Sequence, residues 1–257
     1  MNKEEIKLIK KLQMRKYRDE TGIFVGEGVR LASEALREDN SRAEVQYVVT
    51  CKQEAEIREI FGDISERGKD FVRYVPPQVF DAIAETRNSQ GVLVVCKIPP
   101  RANAADIAGK SNIVMCDGIS EPGNLGTIIR TAECAGVEAV ALSAGCADPY
   151  GGKVVRATMG AIFRLLVMPD SDLPLLIREG KFRGIAACVD GDNMLYDADL
   201  SGKTAIVVGS EARGISENVL AECETRVKIP IFGGESLNVS IATGVIIYEK
   251  VRRTINL

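Results

Sequence analysis

Apolar positions along the chain form short runs that alternate with segments of helical periodicity. In the first hundred residues, this pattern predicts four strands with helices between them. The predicted strands are 22–26, 45–51, 71–75 and 91–97, and the predicted helices are 29–38, 52–61 and 78–87. The strands are apolar throughout, which is typical of a parallel sheet covered on both faces. This half is therefore predicted to be α/β.

The same alternation resumes after residues 98–106, where two prolines are followed by small and polar residues. The predicted strands there are 112–118, 137–143, 161–167, 184–189, 204–209 and 227–231, and the predicted helices are 125–135, 153–159, 172–179, 216–222 and 238–252. A proline-rich break between two α/β patterns indicates a linker. We therefore predict two α/β domains, residues 1–100 and 107–257.

The amino-acid composition excludes several kinds of catalytic and metal-binding site. The chain of 257 residues has no histidine, which excludes Ser/His/Asp and Cys/His catalysis and histidine metal sites. Its seven cysteines are scattered and never spaced CxxC, so neither a disulfide framework nor a zinc site is expected, and no metal is predicted. The apolar runs are too short to span a membrane and the N-terminus is charged, so we expect a cytoplasmic protein.

The net charge of −3 does not favour nucleic-acid binding, but the first eighteen residues differ from the average. Five cations recur there at helical spacing: Lys3, Lys7, Lys11, Arg15 and Arg18. They predict a helix with a cationic stripe, which would be either an RNA contact or a solvated surface face.

Three loops after predicted strands of the second half hold polar groups. Ligands of parallel sheets bind beyond the carboxyl ends of the strands, so these loops are the candidate site. The first loop carries Asn124 and leads to a helix with Arg130, the second carries Gly209 and Glu211, and the third carries Ser236 and Asn238. Each has an ordinary alternative explanation, namely a helix cap with a surface arginine, a βα turn, and a helix cap.

Taken together and in this order, the three loops resemble the motifs of the SpoU (TrmH-like) family of RNA 2′-O-ribose methyltransferases, in the SPOUT superfamily. The matching stretches are "PGNLGTIIRTA", "VVGSEARGIS" and "IPIFGGESLNVSIATGVIIYE", with "DPYGGKVVRATMGAIFRL" between the first two. The resemblance covers residues 112–250. "RKYRDETGIFVGEGVRLASEAL" and "SQGVLVV" are similar to the ends of that family's L30e-like substrate-binding domain.

The resemblance implies a parallel-sheet α/β domain with a C-terminal trefoil knot, S-adenosylmethionine as cofactor, and a homodimer formed through the knot region. It places Gly209, Ile229 and Leu237 at cofactor-contacting positions. It places Asn124, Arg130, Glu211, Ser236 and Asn238 at polar active-site positions. The implied substrate is structured RNA, ribosomal RNA rather than tRNA, because the L30e-like domain resembles that of the ribosomal-RNA members.

The implied reaction moves a methyl group from a sulfonium to a ribose hydroxyl, so a weakly acidic proton must be removed. The family assigns the base to Arg130, but arginine stays protonated in proteins. We therefore expect Arg130 to bind an RNA phosphate and stabilise oxyanion charge, with the proton passing to a carboxylate, a phosphate or water.

The same residues allow other interpretations of the function. They are a tRNA 2′-O-ribose methyltransferase, a non-catalytic RNA-binding protein, a nucleotide-dependent α/β enzyme of another class, and a cytosine-5 methyltransferase. The third would need a phosphate-binding loop that the sequence lacks. The fourth would need a cysteine nucleophile, and the sequence around Cys134, the cysteine nearest Arg130, does not match its motif.

Overall fold

The computed structural model describes residues 1–37, 42–68 and 70–255, and divides the chain into two units. Unit 1 comprises residues 1–100 and 150–164, and unit 2 comprises residues 101–149 and 165–257. The predicted second domain includes 150–164, which group here with the N-terminal residues. Residue 38, the predicted end of one helix, lies outside the described residues, as do 256 and 257.

Within the described part of the first hundred residues there are five α-helices and four strands. In chain order they are α1 Lys3–Lys11, α2 Arg15–Thr21, β1 Ile23–Glu27, α3 Val29–Leu36, β2 Val45–Thr50, α4 Glu54–Phe61, β3 Val72–Tyr74, α5 Pro77–Ile83 and β4 Val92–Lys97. The sheet order is β1-β4-β2-β3. Strand β4 is antiparallel to both of its neighbours, and β2 pairs with β3 in parallel. The first sheet is therefore mixed, and the parallel sheet predicted for this half is wrong.

Residues 101–255 add six α-helices and seven strands. They are α6 Ala104–Ile107, β5 Asn112–Asp117, α7 Pro122–Cys134, β6 Ala139–Leu142, α8 Gly152–Thr158, β7 Leu166–Met168, α9 Leu173–Gly180, β8 Arg183–Ala187, β9 Asn193–Met194, β10 Thr204–Gly209, α10 Glu217–Leu220, β11 Cys223–Lys228 and α11 Val239–Thr254. The sheet order in unit 2 is β7-β6-β5-β10-β8-β11-β9, with every pairing parallel. The parallel sheet predicted for the second half is confirmed.

Two long helices contact each other in unit 2. Helix α7 begins with Pro122. The Glu121 side chain acts as its N-cap by accepting a hydrogen bond from the backbone N–H of Asn124 at 2.6 Å. Its side chains Ile128 and Ile129 are fully buried. Helix α11 begins after its N-cap residue Asn238 and packs against α7. These helix starts bring the first and third candidate loops together.

Some predicted elements differ from the structure. The predicted strand 161–167 is instead a 3₁₀ turn at Ala161–Phe163 followed by β7, since Gly160 turns the chain with a φ of 102°. The predicted final strand, 227–231, is observed as β11, which begins and ends earlier in the chain, at Cys223–Lys228. In the described residues, no helix combines the length and apolarity that a membrane crossing requires.

Candidate functional site

Two cavities lie beyond the carboxyl ends of the central strands of unit 2, and they meet at one wall. We call them the apolar cavity, about 380 Å³, and the polar cavity, about 630 Å³. The loop that follows β10 lines both of them through Ser210, Glu211, Arg213 and Gly214. This position agrees with the general placement of ligands in parallel α/β sheets.

The apolar cavity is lined mainly by aliphatic side chains and by loop backbone. Val208, Leu220, Val227 and Ile246 contribute to its walls. The three residues predicted to contact cofactor also line it: Gly209, Ile229 and Leu237. The structure therefore brings these three residues together, although they are far apart in the sequence.

The loop of residues 229–237 leaves its backbone groups available at this cavity. No described residue forms a hydrogen bond with any main-chain or side-chain group of this loop. Free N–H and C=O groups beside aliphatic side chains suit a ligand that combines a flat heterocycle with polar edges. The cavity therefore fits S-adenosylmethionine, which would be held by the aliphatic side chains and the loop backbone.

A hydrogen-bonded cluster of three predicted site residues joins the three loops. The Asn238 amide nitrogen donates to Asn124 Oδ1 at 2.9 Å and to Glu211 Oε1 at 3.0 Å. The Asn124 amide nitrogen donates to the same Glu211 oxygen at 3.3 Å. Asn124 and Glu211 line the polar cavity, and Glu211 also lines the apolar cavity. The cluster therefore occupies the region where the two cavities adjoin.

The cluster leaves one amide hydrogen and one carboxylate oxygen without a partner. Asn238 is saturated, because its oxygen also caps α11 by accepting from the Ser240 amide at 3.0 Å and the Ser240 hydroxyl at 2.6 Å. Among the described residues, one amide hydrogen of Asn124 and the Oε2 atom of Glu211 have no partner. A hydroxyl group, which both donates and accepts, matches this pair.

The loop after β10 is held in a tight turn that requires Gly209. The Ser210 and Gly214 backbones exchange hydrogen bonds of 3.1 and 2.8 Å across the turn. A Cβ atom on Gly209 would lie 2.1 Å from the carbonyl carbon of Gly214. This glycine is therefore needed for the turn that presents Glu211.

Asp117 fixes the same loop from the end of β5. Its carboxylate accepts from the Ser143 hydroxyl at 2.7 Å, from the Ser216 amide at 2.8 Å and from the Ser216 hydroxyl at 2.6 Å. The sequence pattern did not identify Asp117, Ser143 or Ser216 as site residues. The available signal was that Asp117 ends a predicted strand at the ligand-binding edge of the sheet.

Two of the five predicted polar active-site residues lie outside the cluster. Ser236 is exposed and lines the apolar cavity, so it is placed to contact a cofactor. Arg130 is exposed on α7 and lines neither cavity. Its assignment to the active site stays a prediction. Arg213, which lines both cavities, was missed because a single arginine in a βα turn carries no distinctive pattern.

The cysteine near the apolar cavity is a poor nucleophile. Burial, aided by Asp190, raises the pKa of the Cys188 thiol, and Cys188 lines the cavity wall. Burial also raises the pKa of Cys223 to about 12. Protonated thiols react slowly, which argues against cysteine catalysis at this cavity. The described part of the chain contains no group of three His, Cys, Asp or Glu side chains suited to a metal ion.

The cationic stripe predicted at the N-terminus is interrupted. It spans two helices, α1 and α2, because the chain breaks at Leu12–Met14. Arg18 is buried, 4% exposed, and donates to the Leu12 carbonyl oxygen, so its assignment as an RNA contact is wrong. Arg15 pairs with Asp19 at 3.5 Å, whereas Lys3 and Lys7 are exposed and Lys11 is half-buried.

Comparison with known proteins agrees with this geometry. The SpoU rRNA methylase family model matches residues 111–248, and the MRM3-like substrate-binding domain model matches residues 3–94. The chain is 30% identical over 250 residues to the 23S rRNA (guanosine(2553)-2′-O)-methyltransferase RlmP of Bacillus subtilis (strain 168), covering 96% of this chain and 95% of that protein.

Two solved structures show how far the likeness extends. The AdoMet-bound rRNA methyltransferase from Sinorhizobium meliloti has a TM-score of 0.84 and 29% identity, covering 98% of this chain and 95% of that chain. The A. aeolicus TrmH/SpoU tRNA-modifying enzyme shares the fold over 60% of this chain and 83% of its own, with a TM-score of 0.50 and 23% identity.

A parallel α/β unit with this site, joined to an N-terminal substrate-binding unit, defines an RNA methyltransferase of the SPOUT class. The chain belongs to the SpoU rRNA methylase family. This confirms the predicted family, fold class and enzyme class. The knotted course of the chain stays a prediction.

Proposed function

We propose that this protein methylates the 2′-hydroxyl of a ribose in ribosomal RNA, with S-adenosylmethionine bound in the apolar cavity. The unused donor of Asn124 and the unused acceptor of Glu211 carry the proposal. A ribose 2′-hydroxyl is both donor and acceptor, and it distinguishes RNA from DNA. This cluster adjoins the cavity that fits the methyl donor.

The residues of the cluster have different roles in this proposal. S-adenosylmethionine, when bound, supplies an electrophilic methyl group. Asn124 donates to the ribose hydroxyl and orients its lone pair, and Asn238 holds Asn124 and Glu211 in place. The backbone at Gly209, Ile229 and Leu237, with the hydroxyl of Ser236, holds the cofactor. Fixed orientation is a large source of rate enhancement in such transfers.

Glu211 is the proton acceptor that the geometry favours. From the sequence alone, the proton acceptor could be a carboxylate, a phosphate or water. Oε1 of Glu211 is held by two amides, so Oε2 has a defined position from which to accept the hydroxyl proton. Arg130 remains a cation and would stabilise phosphate or developing oxyanion charge instead.

The protein is proposed to act as a homodimer formed through α11. Three large apolar side chains are exposed in the single chain, Ile241 and Tyr248 within this helix and Ile255 at its C-cap. Their spacing of seven places them on one face of the helix. A second copy on this face would also lie near α7, the helix that carries Arg130. This arrangement would explain why Arg130 lines neither cavity within one chain.

Ribosomal RNA is favoured over tRNA because the likeness to the ribosomal-RNA methyltransferases includes the N-terminal unit. The likeness to the tRNA-modifying enzyme extends over 60% of the chain. Lys3, Lys7, Lys11 and Arg15 of unit 1 are proposed RNA contacts. The proposed location is the cytoplasm.

The substrate is tested with RNA from a strain that lacks the gene. Purified protein and S-adenosylmethionine carrying a labelled methyl group are incubated with ribosomal RNA or with total tRNA from that strain. We expect stoichiometric labelling at one position of ribosomal RNA and none in tRNA. Labelling of tRNA alone would refute the ribosomal assignment, and RNA from the parent strain serves as the already methylated control.

A further inference from the structure

The proposed function assigns the apolar cavity to the cofactor and assigns no ligand to the polar cavity. It is formed by the loops that follow β5, β6 and β10, and it lies beside the Asn124 and Glu211 cluster. Once a ribose hydroxyl reaches that cluster, the rest of its nucleotide must occupy neighbouring space. Because the apolar cavity fits the cofactor, the polar cavity is the space that remains.

Most polar groups of this cavity are already engaged by the protein. Asp117 uses both carboxylate oxygens to hold Ser143 and Ser216. The guanidinium of Arg213 is different, because it is exposed and no described carboxylate lies within 4.0 Å of it. The Arg213 side chain therefore presents a free cation where the two cavities meet.

We propose that the polar cavity receives the nucleotide that is methylated, and that Arg213 binds a phosphate adjoining its ribose. This inference rests on the proposed function. A guanidinium presents parallel N–H donors that match phosphate oxygens. Sequence-specific RNA recognition targets loops and bulges, whose unstacked nucleotides can enter a pocket. Arg213 would hold the backbone while the ribose hydroxyl contacts Glu211.

The first test fills the polar cavity. Ala144 lines this cavity and not the apolar one, and it is exposed. Ala144→Trp should lower kcat/KM for ribosomal RNA about tenfold or more and leave the Kd for S-adenosylmethionine, measured without RNA, within about twofold. Ala108→Trp is the matched control, because Ala108 is exposed ahead of β5, at the opposite edge of the sheet.

Each result of this test bears on the proposal. If Ala144→Trp weakens S-adenosylmethionine binding, the cofactor extends into the polar cavity and the proposal is overturned. Unchanged kinetics with RNA would overturn it as well. If the tryptophan variant does not fold, Ala144→Leu, which adds less volume, should show a smaller loss with the same selectivity.

The second test removes the cation. Arg213→Gln should lower kcat/KM for RNA about 10- to 100-fold, since hydrogen bonds to charged groups contribute roughly that factor. The slope of log K for RNA against log salt should become shallower by about 0.7, the value for one phosphate contact on a single strand. Lys181→Gln, an exposed cation ahead of β8, should change neither quantity.

An alternative partner for Arg213 is the carboxylate of the cofactor. If Arg213→Gln weakens S-adenosylmethionine binding and leaves the RNA salt slope unchanged, this alternative holds and the proposal fails. The proposed function fails separately, if the unaltered protein transfers no methyl group to ribose. In that case, RNA affinity of the two variants, measured by filter binding without cofactor, still tests the inference.

Discussion

Individual side chains in the site are divided between those that touch substrate and those that hold others in place. Asn238 makes four hydrogen bonds and has none left for a ligand, so we assign it a positioning role. Asn124 and Glu211 keep one free group each. The sequence predicted all three residues, but only the structure shows this division, because it depends on distances between loops that are far apart in the chain.

At this scale we predict the effect of Glu211→Gln. The amide keeps the size of the side chain and can still accept hydrogen bonds, but it is a far weaker proton acceptor. The kcat should fall about 10²- to 10⁴-fold, the usual contribution of general base catalysis, with RNA affinity preserved. Glu217→Gln, at an exposed carboxylate in α10, is the control. Turnover of Glu211→Gln within about twofold of the unaltered enzyme would exclude Glu211 as the base.

Among the elements, the parallel strands of unit 2 were the most predictable. Strands β5 and β10 are central, so they are apolar on both faces and their sequences are distinctive. The apolar stretch 161–167 gave a wrong prediction because both its turn and β7 are buried, and burial alone does not specify a strand. The mixed pairing of the first sheet depends on contacts between strands that local pattern does not encode.

Charged side chains hold the C-terminal turns of α11 in place. Arg253 donates to the carbonyl oxygens of Leu195 and Tyr196 at 3.0 and 2.9 Å, and it also pairs with Glu249 at 2.7 Å. Hydrogen bonds from Arg252 and Arg253 lower the pKa of Glu249 to about 2. This fixes the end of the helix that begins at the active site.

The lowered pKa predicts a pH dependence of stability. A carboxylate with a depressed folded-state pKa stabilises the protein above its unfolded pKa, about 4.3, and this contribution disappears as the pH falls towards 2. Glu249→Gln should therefore lower the urea midpoint at pH 7, and the difference should shrink between pH 5 and pH 3. Protein concentration is held fixed. Glu179→Gln, an exposed carboxylate on α9, should show no such convergence, and a difference independent of pH would contradict the prediction.

The lysines of helix α1 are expected to contribute to RNA binding. With net charge −3, the protein must attract RNA through local cations. Replacing Lys3, Lys7 and Lys11 with glutamine should make the slope of log K against log salt shallower by about 2–3 units, because each phosphate contact contributes roughly 0.7–0.9. Replacing Lys52, Arg58 and Lys97, which are paired with carboxylates, is the matched control. An unchanged slope would show that α1 is a solvated face.

At the scale of the whole molecule, the knot stays a prediction: local sequence patterns do not indicate one, and topology rules alone would argue against one because knots are nearly absent from proteins. The resemblance supplied it. The resemblance also implied the proposed dimer, because the seven-residue spacing of Ile241, Tyr248 and Ile255 is visible in the sequence but the exposure of these side chains is not. Ile241 is 55% exposed in the single chain.

We predict that Ile241→Asp produces a folded monomer with little methyltransferase activity. A buried aspartate at the interface would be desolvated, whereas in the monomer it stays in water. Light scattering should give half the mass of the unaltered protein, with an unchanged circular dichroism spectrum. Leu175→Asp, on the exposed face of α9, should stay dimeric. An unaltered dimer mass for Ile241→Asp would refute an interface through this face.

The position of the transferred methyl group tests the central claim most directly. Ribosomal RNA from the deletion strain is labelled by the protein from S-adenosylmethionine, hydrolysed in alkali and separated. A 2′-O-methyl group blocks alkaline cleavage of the next phosphodiester, so we predict that all label appears in alkali-resistant dinucleotides of one sequence. Label in mononucleotides would mean that a base is methylated, and it would contradict the assignment of Asn124 and Glu211 to a ribose hydroxyl.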